Sequence, residues 1–203
     1  MSRKYLVLFL VSATVVLLDQ WSKLVVVREL TWRMDSLSTL GEQLKAMYSP
    51  PPPEGMDGLH FRAKGMLVLS PSFFRIRYAE NPGAAWGLFR NQPENIRGPL
   101  FHVVSIVAII LIIYYFRKLS WNDPTQRWVL WGLPLVLGGA IGNYIDRLAR
   151  GFVVDFLEAH WYDKASWPVF NLADAAICVG LGMMVLDSFL RREKKDSPAA
   201  VRS

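Results

Sequence analysis

Two aspartates have the residue type and surroundings to do chemistry. Asp155 lies in Gly151-Phe152-Val153-Val154-Asp155-Phe156-Leu157, a lone carboxylate in apolar company, and burial there raises a carboxyl pKa. Asp174 lies in Phe170-Asn171-Leu172-Ala173-Asp174-Ala175-Ala176-Ile177. There Asn171 can cap a helix and Asp174 falls at the third helical position, near the positive end. Taken alone, Asp174 is a plain helix-start carboxylate. Taken as a pair, two carboxylates at the ends of adjacent helices can share one proton, because like charges at close range cannot both ionise. The ionised member then acts as general base toward a water while the protonated member donates to a carbonyl oxygen, which is aspartic peptidase chemistry.

Other polar residues sit at helical spacing. Asp19 and Lys23 are four apart in an apolar run, the spacing of an ion pair that neutralises both charges. Gly138 and Gly142 form a small-xxx-small face, which lets a helix backbone approach its neighbour closely. One turn on, Asn143 and Arg147 share a face and can point into a bundle, with Asp146 turned off that face; a helix end whose polar groups simply reach water is the simpler reading. The turn Asn81-Pro82-Gly83-Ala84-Ala85-Trp86-Gly87 is built of small residues. It suits the close approach of another backbone, or is an ordinary loop.

The elements that must position these residues are membrane spans. The 203-residue chain is 52% hydrophobic and 20% charged, too apolar for an ordinary soluble domain. A bilayer core of about 30 Å needs roughly 20 apolar residues in a helix, and stretches near 5–27, 99–116, 128–145 and 170–190 come close. The first is long, holds Asp19 and Lys23, and lacks a clear cleavage site, so it is expected to be retained. The net charge of +6 gathers beside these runs, at Arg3-Lys4, Arg117-Lys118 and Arg127, and in the tail 191–203. That is a topology signal rather than a nucleic-acid footprint. By the positive-inside rule both termini are cytoplasmic, and segments 28–98 and 146–168 face outward. Trp121, Trp128 and Trp131 then mark the inner interface, and Trp161, Tyr162 and Trp167 the outer one.

Between Asp35 and Pro71 turn formers dominate, including Pro50-Pro51-Pro52-Pro53, so no packed unit is expected there. Phe74, Ile76 and Tyr78 alternate with Arg75 and Arg77, a strand pattern. Met66-Leu67-Val68-Leu69 is its candidate partner, giving strands near 66–78 in a small outer sheet with the arginines toward headgroups or water. Cys178 is the only cysteine, and His60, His102 and His160 are scattered without an HExxH or G-x-S-x-G motif. No metal, cofactor or serine nucleophile is expected.

Five ordered blocks resemble the lipoprotein signal peptidases, the type II signal peptidases of bacteria: Asp19-Gln20-Trp21-Ser22-Lys23, Asn81-Pro82-Gly83-Ala84-Ala85-Trp86, Gly142-Asn143-Tyr144-Ile145-Asp146-Arg147, Val153-Val154-Asp155-Phe156 and Phe170-Asn171-Leu172-Ala173-Asp174. The resemblance covers most of the chain. It implies a mainly α inner-membrane protein of four transmembrane helices with a small periplasmic β-sheet, and a catalytic dyad of Asp155 and Asp174. It also implies that Asp19, Lys23, Asn81, Gly83, Asn143, Asp146, Arg147 and Asn171 support or line the site. The implied substrates are diacylglyceryl-modified prolipoproteins, cut just before the lipidated cysteine. Contact with membrane lipids and sensitivity to globomycin-type cyclic peptides follow, and no motif demands more than a monomer. Two departures stand out: Trp86 replaces the usual Phe, and a Pro-rich insertion near 35–65 has no family counterpart and is expected to be a tolerated surface loop. The rival class is a small proton-coupled transporter or channel subunit with Asp19, Asp155 and Asp174 as relay groups. It is disfavoured because these carboxylates cluster at the outer ends of the spans.

Overall fold

The computed structural model describes residues 3–56, 58–83, 93–162 and 164–196. Among the described residues, four helices are long and apolar enough to cross a membrane: α1 (Arg3–Leu30), α3 (Glu94–Lys118), α4 (Arg127–Arg150) and α5 (Leu172–Asp196). A shorter helix, α2 (Leu40–Tyr48), follows α1. Phe9, Leu17, Val103, Ile110, Val179 and Phe189 stand exposed along α1, α3 and α5, a surface that suits hydrocarbon rather than water. α4 is the inner helix, with more than half of its apolar stretch buried.

Glycines set how closely the spans approach. A Cβ on Gly132 would lie 2.7 Å from the Gly180 carbonyl oxygen of α5, and one on Gly138 would lie 2.9 Å from the Ser12 carbonyl oxygen of α1. A Cβ on Gly142 would meet Asp19 Oδ2 at 2.6 Å. Gly138 and Gly142 therefore share the face toward α1, and any side chain there would push the helices apart.

α1 begins where α3 ends, with Lys4 Nζ donating to the Leu119 carbonyl at 2.8 Å. The opposite end of the bundle carries a four-stranded antiparallel sheet in the order β1-β2-β3-β4, formed by β1 (Met66–Ser70), β2 (Phe74–Asn81), β3 (Val153–Trp161) and β4 (Ala165–Ser166). The sheet is thus larger than the hairpin suggested by the alternation near 66–78. Arg75 and Arg77 are not simply turned to water: both Nε atoms donate to Glu158 Oε2 of β3 at 2.7 Å.

Two expectations about the segments flanking the spans are corrected. The apolar stretch stops near 145, but α4 runs on to Arg150, so Asp146 lies inside the helix, fully buried. It can do so because Lys23 and Arg150 neutralise it. Segment 35–65 is also not an unpacked loop. Thr39 and Glu42 form a reciprocal capping box that starts α2, and Met34, Met47 and Phe61 enter one core with Leu24, Val27, Tyr78, Phe152, Val154 and Phe156. The turn-rich average of the segment hid the apolar anchors Met47 and Phe61, and Met34 stands just before it. The Ser/Thr-x-x-Glu start signal was present in the sequence.

Candidate active site

β3 inherits its position from the end of α4. Gly151 adopts φ 79° and its N–H bonds the Arg147 carbonyl at 3.0 Å, a left-handed cap that glycine adopts without strain. The chain thus turns directly into β3, where Ala79 pairs with Asp155 and Asn81 with Val153. One extra residue on β2 between Ile76 and Ala79 forms a bulge just before this point, the kind of irregularity that re-aims side chains. Asp155 is 2% exposed. Its Oδ2 accepts from Asn81 Nδ2 at 3.0 Å and its Oδ1 from Asn171 Nδ2 at 2.7 Å. Burial, and then the negative charge of Asp174, push the Asp155 carboxyl up to about 7, against the opposing pull of the two asparagine bonds and Lys23.

Asp174 comes from the first turn of α5. Asn171 Oδ1 accepts from the Asp174 N–H at 2.9 Å, and Asp174 Oδ2 accepts from the Asn171 N–H at 3.4 Å, so the two cap each other reciprocally. Phe170 holds this start against β3, its carbonyl accepting from Leu157 N–H at 2.8 Å and its N–H donating to the Leu157 carbonyl at 3.0 Å. Asp174 Oδ1 accepts from Asn143 Nδ2 at 2.8 Å, and Asn171 Nδ2 also donates to Asn143 Oδ1 at 3.1 Å. Residues 19 positions apart in sequence are therefore joined through Asn171, which touches both carboxylates. Asp155 is the enclosed member and Asp174 the partly exposed one.

Beneath the pair lies a buried charge network. Lys23 Nζ reaches Asp19 Oδ2 at 2.8 Å, Asp146 Oδ2 at 3.0 Å and Asn143 Oδ1 at 3.2 Å, while Arg150 pairs with the other oxygen of Asp146. Two carboxylates and two cations cancel, as buried charge requires. The remaining lone pairs bind backbone: Ala173 N–H donates to Asp19 Oδ1 at 3.0 Å, and Val154 N–H to Asp146 Oδ2 at 3.0 Å. The network thereby holds the residue before each candidate catalytic aspartate. Gln20 Nε2 braces both acids, at 3.0 Å from Asp19 Oδ2 and 2.9 Å from Asp146 Oδ1.

Arg147 points inward. Its Nη2 donates to the Gly83 carbonyl at 3.1 Å, its Nη1 lies 3.5 Å from the Asn143 carbonyl, and its guanidinium stacks 4.9 Å from the Phe101 ring centre. Gly83 N–H in turn donates to Asn81 Oδ1 at 3.0 Å. Trp86 and the rest of that turn, residues 84–92, lie outside the described residues, as do 197–203 of the tail.

All ten predicted site residues fall within this one constellation. The sequence reading passed over Gln20 and Arg150. Arg150 had a signal, since it stands four residues after Asp146 as Lys23 stands after Asp19. Gln20 had none beyond its place in the first block.

The family described as signal peptidase (SPase) II matches residues 11–190. A lipoprotein signal peptidase of Anaeromyxobacter sp. (strain Fw109-5) is 41% identical over 187 residues, 90% of this chain and 84% of that one. A second, from Halalkalibacterium halodurans, is 33% identical over 190 residues, 94% of this chain and 96% of that one. Among solved structures, a bacterial membrane enzyme obtained by the in meso method superposes with a TM-score of 0.63 at 23% identity, covering 94% of this chain and 92% of that one. At that identity the likeness concerns the fold.

Proposed function

The chain belongs to the signal peptidase II family, and from that membership we propose that it removes signal peptides from diacylglyceryl-modified prolipoproteins, cutting just before the lipidated cysteine with Asp155 and Asp174 as the catalytic pair. The observation that carries this is the junction at Asn171, whose side-chain amide donates to Asp155 while its backbone N–H and side-chain oxygen engage Asp174.

Asp155, the buried member, holds the proton, and Asp174 carries the negative charge. Asp174 removes a proton from a water as that water adds to the scissile carbonyl carbon. Asp155 donates its proton to the carbonyl oxygen, giving a neutral tetrahedral diol. Collapse then breaks the C–N bond: Asp174 returns its proton to the leaving nitrogen, and Asp155 recovers one from the diol hydroxyl as the new carboxyl group forms. Both carboxyls end as they began. Asn81, Asn143 and Asn171 hold the carboxylate planes, and the Lys23 network fixes the strand and helix that present them.

The site is proposed to face outward at the interface of the bacterial inner membrane, with both termini cytoplasmic. The basic residues Arg3, Lys4, Arg117, Lys118 and Arg127 gather at the end opposite the sheet, which supports that orientation. At an interface the acyl chains of the substrate stay in lipid while the peptide bond reaches water. Globomycin-type cyclic peptides are proposed to occupy the same site, and a single chain contains every residue the mechanism uses.

The test is conversion of a diacylated precursor by purified Asp155→Asn and Asp174→Asn proteins, followed by gel shift. Each is expected to lose activity by at least about 10³-fold, since neither remaining group can perform both proton transfers. Normal turnover in either variant would sink the dyad. Activity is also expected to survive EDTA, and a loss reversed only by added metal would count against the mechanism.

A further inference from the structure

We propose that segment 31–65 is a brace for the candidate active site, holding Asn81 through Glu80 and the end of α4 through Arg150. The proposal rests on the dyad assignment above.

The segment leaves the end of α1 and returns to it. Trp32 N–H donates to the Arg62 carbonyl at 3.0 Å, and Lys64 N–H to the Leu30 carbonyl at 2.8 Å. Between these closing bonds it dips back into the protein at Met34, Met47 and Phe61, which are 2%, 0% and 1% exposed. These anchors share a core with Phe152 and with Val154 and Phe156, the residues on either side of Asp155.

Two polar hooks join the segment to the site. The first is Glu80, whose side chain is 5% exposed. Its Oε1 accepts from Phe61 N–H at 2.9 Å and Tyr78 hydroxyl at 2.7 Å; its Oε2 accepts from His60 N–H at 3.0 Å and lies 2.7 Å from His60 Nδ1. The His60 ring also stacks on Phe152, with centres 4.9 Å apart. Glu80 pairs across the sheet with Val154, and the next residue along β2 is Asn81. Successive strand side chains point to opposite faces, so gripping Glu80 on one face sets the direction of Asn81 on the other, toward Asp155. The second hook is Arg150, which donates to the Met47 carbonyl at 2.9 Å and lies over the Tyr48 ring, while Tyr48 hydroxyl donates to Gln20 Oε1 at 2.9 Å. Arg150 pairs with Asp146, which accepts from Val154 N–H. The residue preceding Asp155 is thus held from two sides by groups that the segment shields from water.

A displacement of about 1 Å at a reacting group can cost roughly 100-fold in rate, so the brace predicts an effect on turnover rather than on substrate binding. Glu80→Ala, Glu80→Gln and His60→Ala are compared with wild type as full-length purified protein. The measurements are hydrogen exchange over 78–83 and 152–157, and kcat and KM on a diacylated precursor peptide. Glu80→Ala is expected to speed exchange at both stretches and to lower kcat by roughly tenfold or more, with KM within about twofold. Glu80→Gln is expected to recover part of the loss, because its amide oxygen still accepts from Phe61 and Tyr78, and His60→Ala is expected to fall between. Wild-type exchange and kcat in Glu80→Ala overturn the proposal, as does an Ala variant whose whole loss lies in KM. If wild-type protein leaves the precursor uncut, the dyad assignment fails while the exchange comparison still decides the brace.

Discussion

At the scale of residues, the two aspartates are chemically alike and environmentally different. Asp155 sits in a closed strand where Asn81 and Asn171 donate to its two oxygens, and Asp174 opens from a helix terminus. With the Asp155 carboxyl raised from 3.8 to about 7, the folded protein binds this proton more tightly than the unfolded chain. The stability it contributes is therefore complete below about 3.8 and is lost as pH rises through about 7. Between those limits the Tm of Asp155→Asn in detergent is expected to gain on wild type as pH rises, and a gap independent of pH would remove the titration argument. Activity follows the same proton: kcat/KM is expected to fall above about pH 7, with apparent values that belong to the pair rather than to either residue.

At the scale of elements, the charge network explains how α1, α4, β3 and α5 meet at one point. Asp19 on α1 caps the backbone of α5 at Ala173, and Asp146 on α4 fixes β3 at Val154, with Lys23 between the two acids. Removing one cation leaves a buried carboxylate uncompensated, which typically costs about 3–5 kcal/mol. Lys23→Met is accordingly expected to destabilise the protein by about that amount. Adding Asp19→Asn to Lys23→Met should recover part of the loss, because the asparagine amide is uncharged yet its oxygen still accepts from Ala173 N–H. A double-mutant cycle on unfolding in detergent reads the coupling, and simple additivity would mean that the pair does not act as a unit. Spacing four apart made Asp19 and Lys23 legible as a pair, but their second partner across the bundle was not legible. The end of α4 was misplaced because hydropathy treats Asp146 and Arg150 as water-seeking, whereas a neutralised pair can remain in the helix.

At the scale of the whole molecule, the bundle separates a basic end, bearing the loop between α3 and α4, from the end bearing the sheet. Cys178 is the only cysteine, so a Cys178→Ala background permits single-cysteine labelling. Thr39→Cys on the sheet side is expected to react with an impermeant maleimide in intact spheroplasts, and Asn122→Cys only after lysis; the reverse pattern would invert the orientation. Asp187 of α5 and Ser12 of α1 are buried polar residues on the part of the bundle away from the sheet.

The sequence by itself determined what local rules control: four apolar stretches of spanning length, the small-residue face at Gly138 and Gly142, the Asn171 cap with Asp174 one turn inside, and the residue types of the pair. Each follows from hydropathy, periodicity or a short-range hydrogen bond. The tertiary structure alone decided that Asn171 touches both Asp155 and Asp174, that Asp146 is neutralised from two helices, and that segment 31–65 packs beneath Asp155. These contacts depend on long-range burial, where a charge is tolerated only once its partner arrives from elsewhere in the chain, and no local pattern around Asp155 encodes which partner that is.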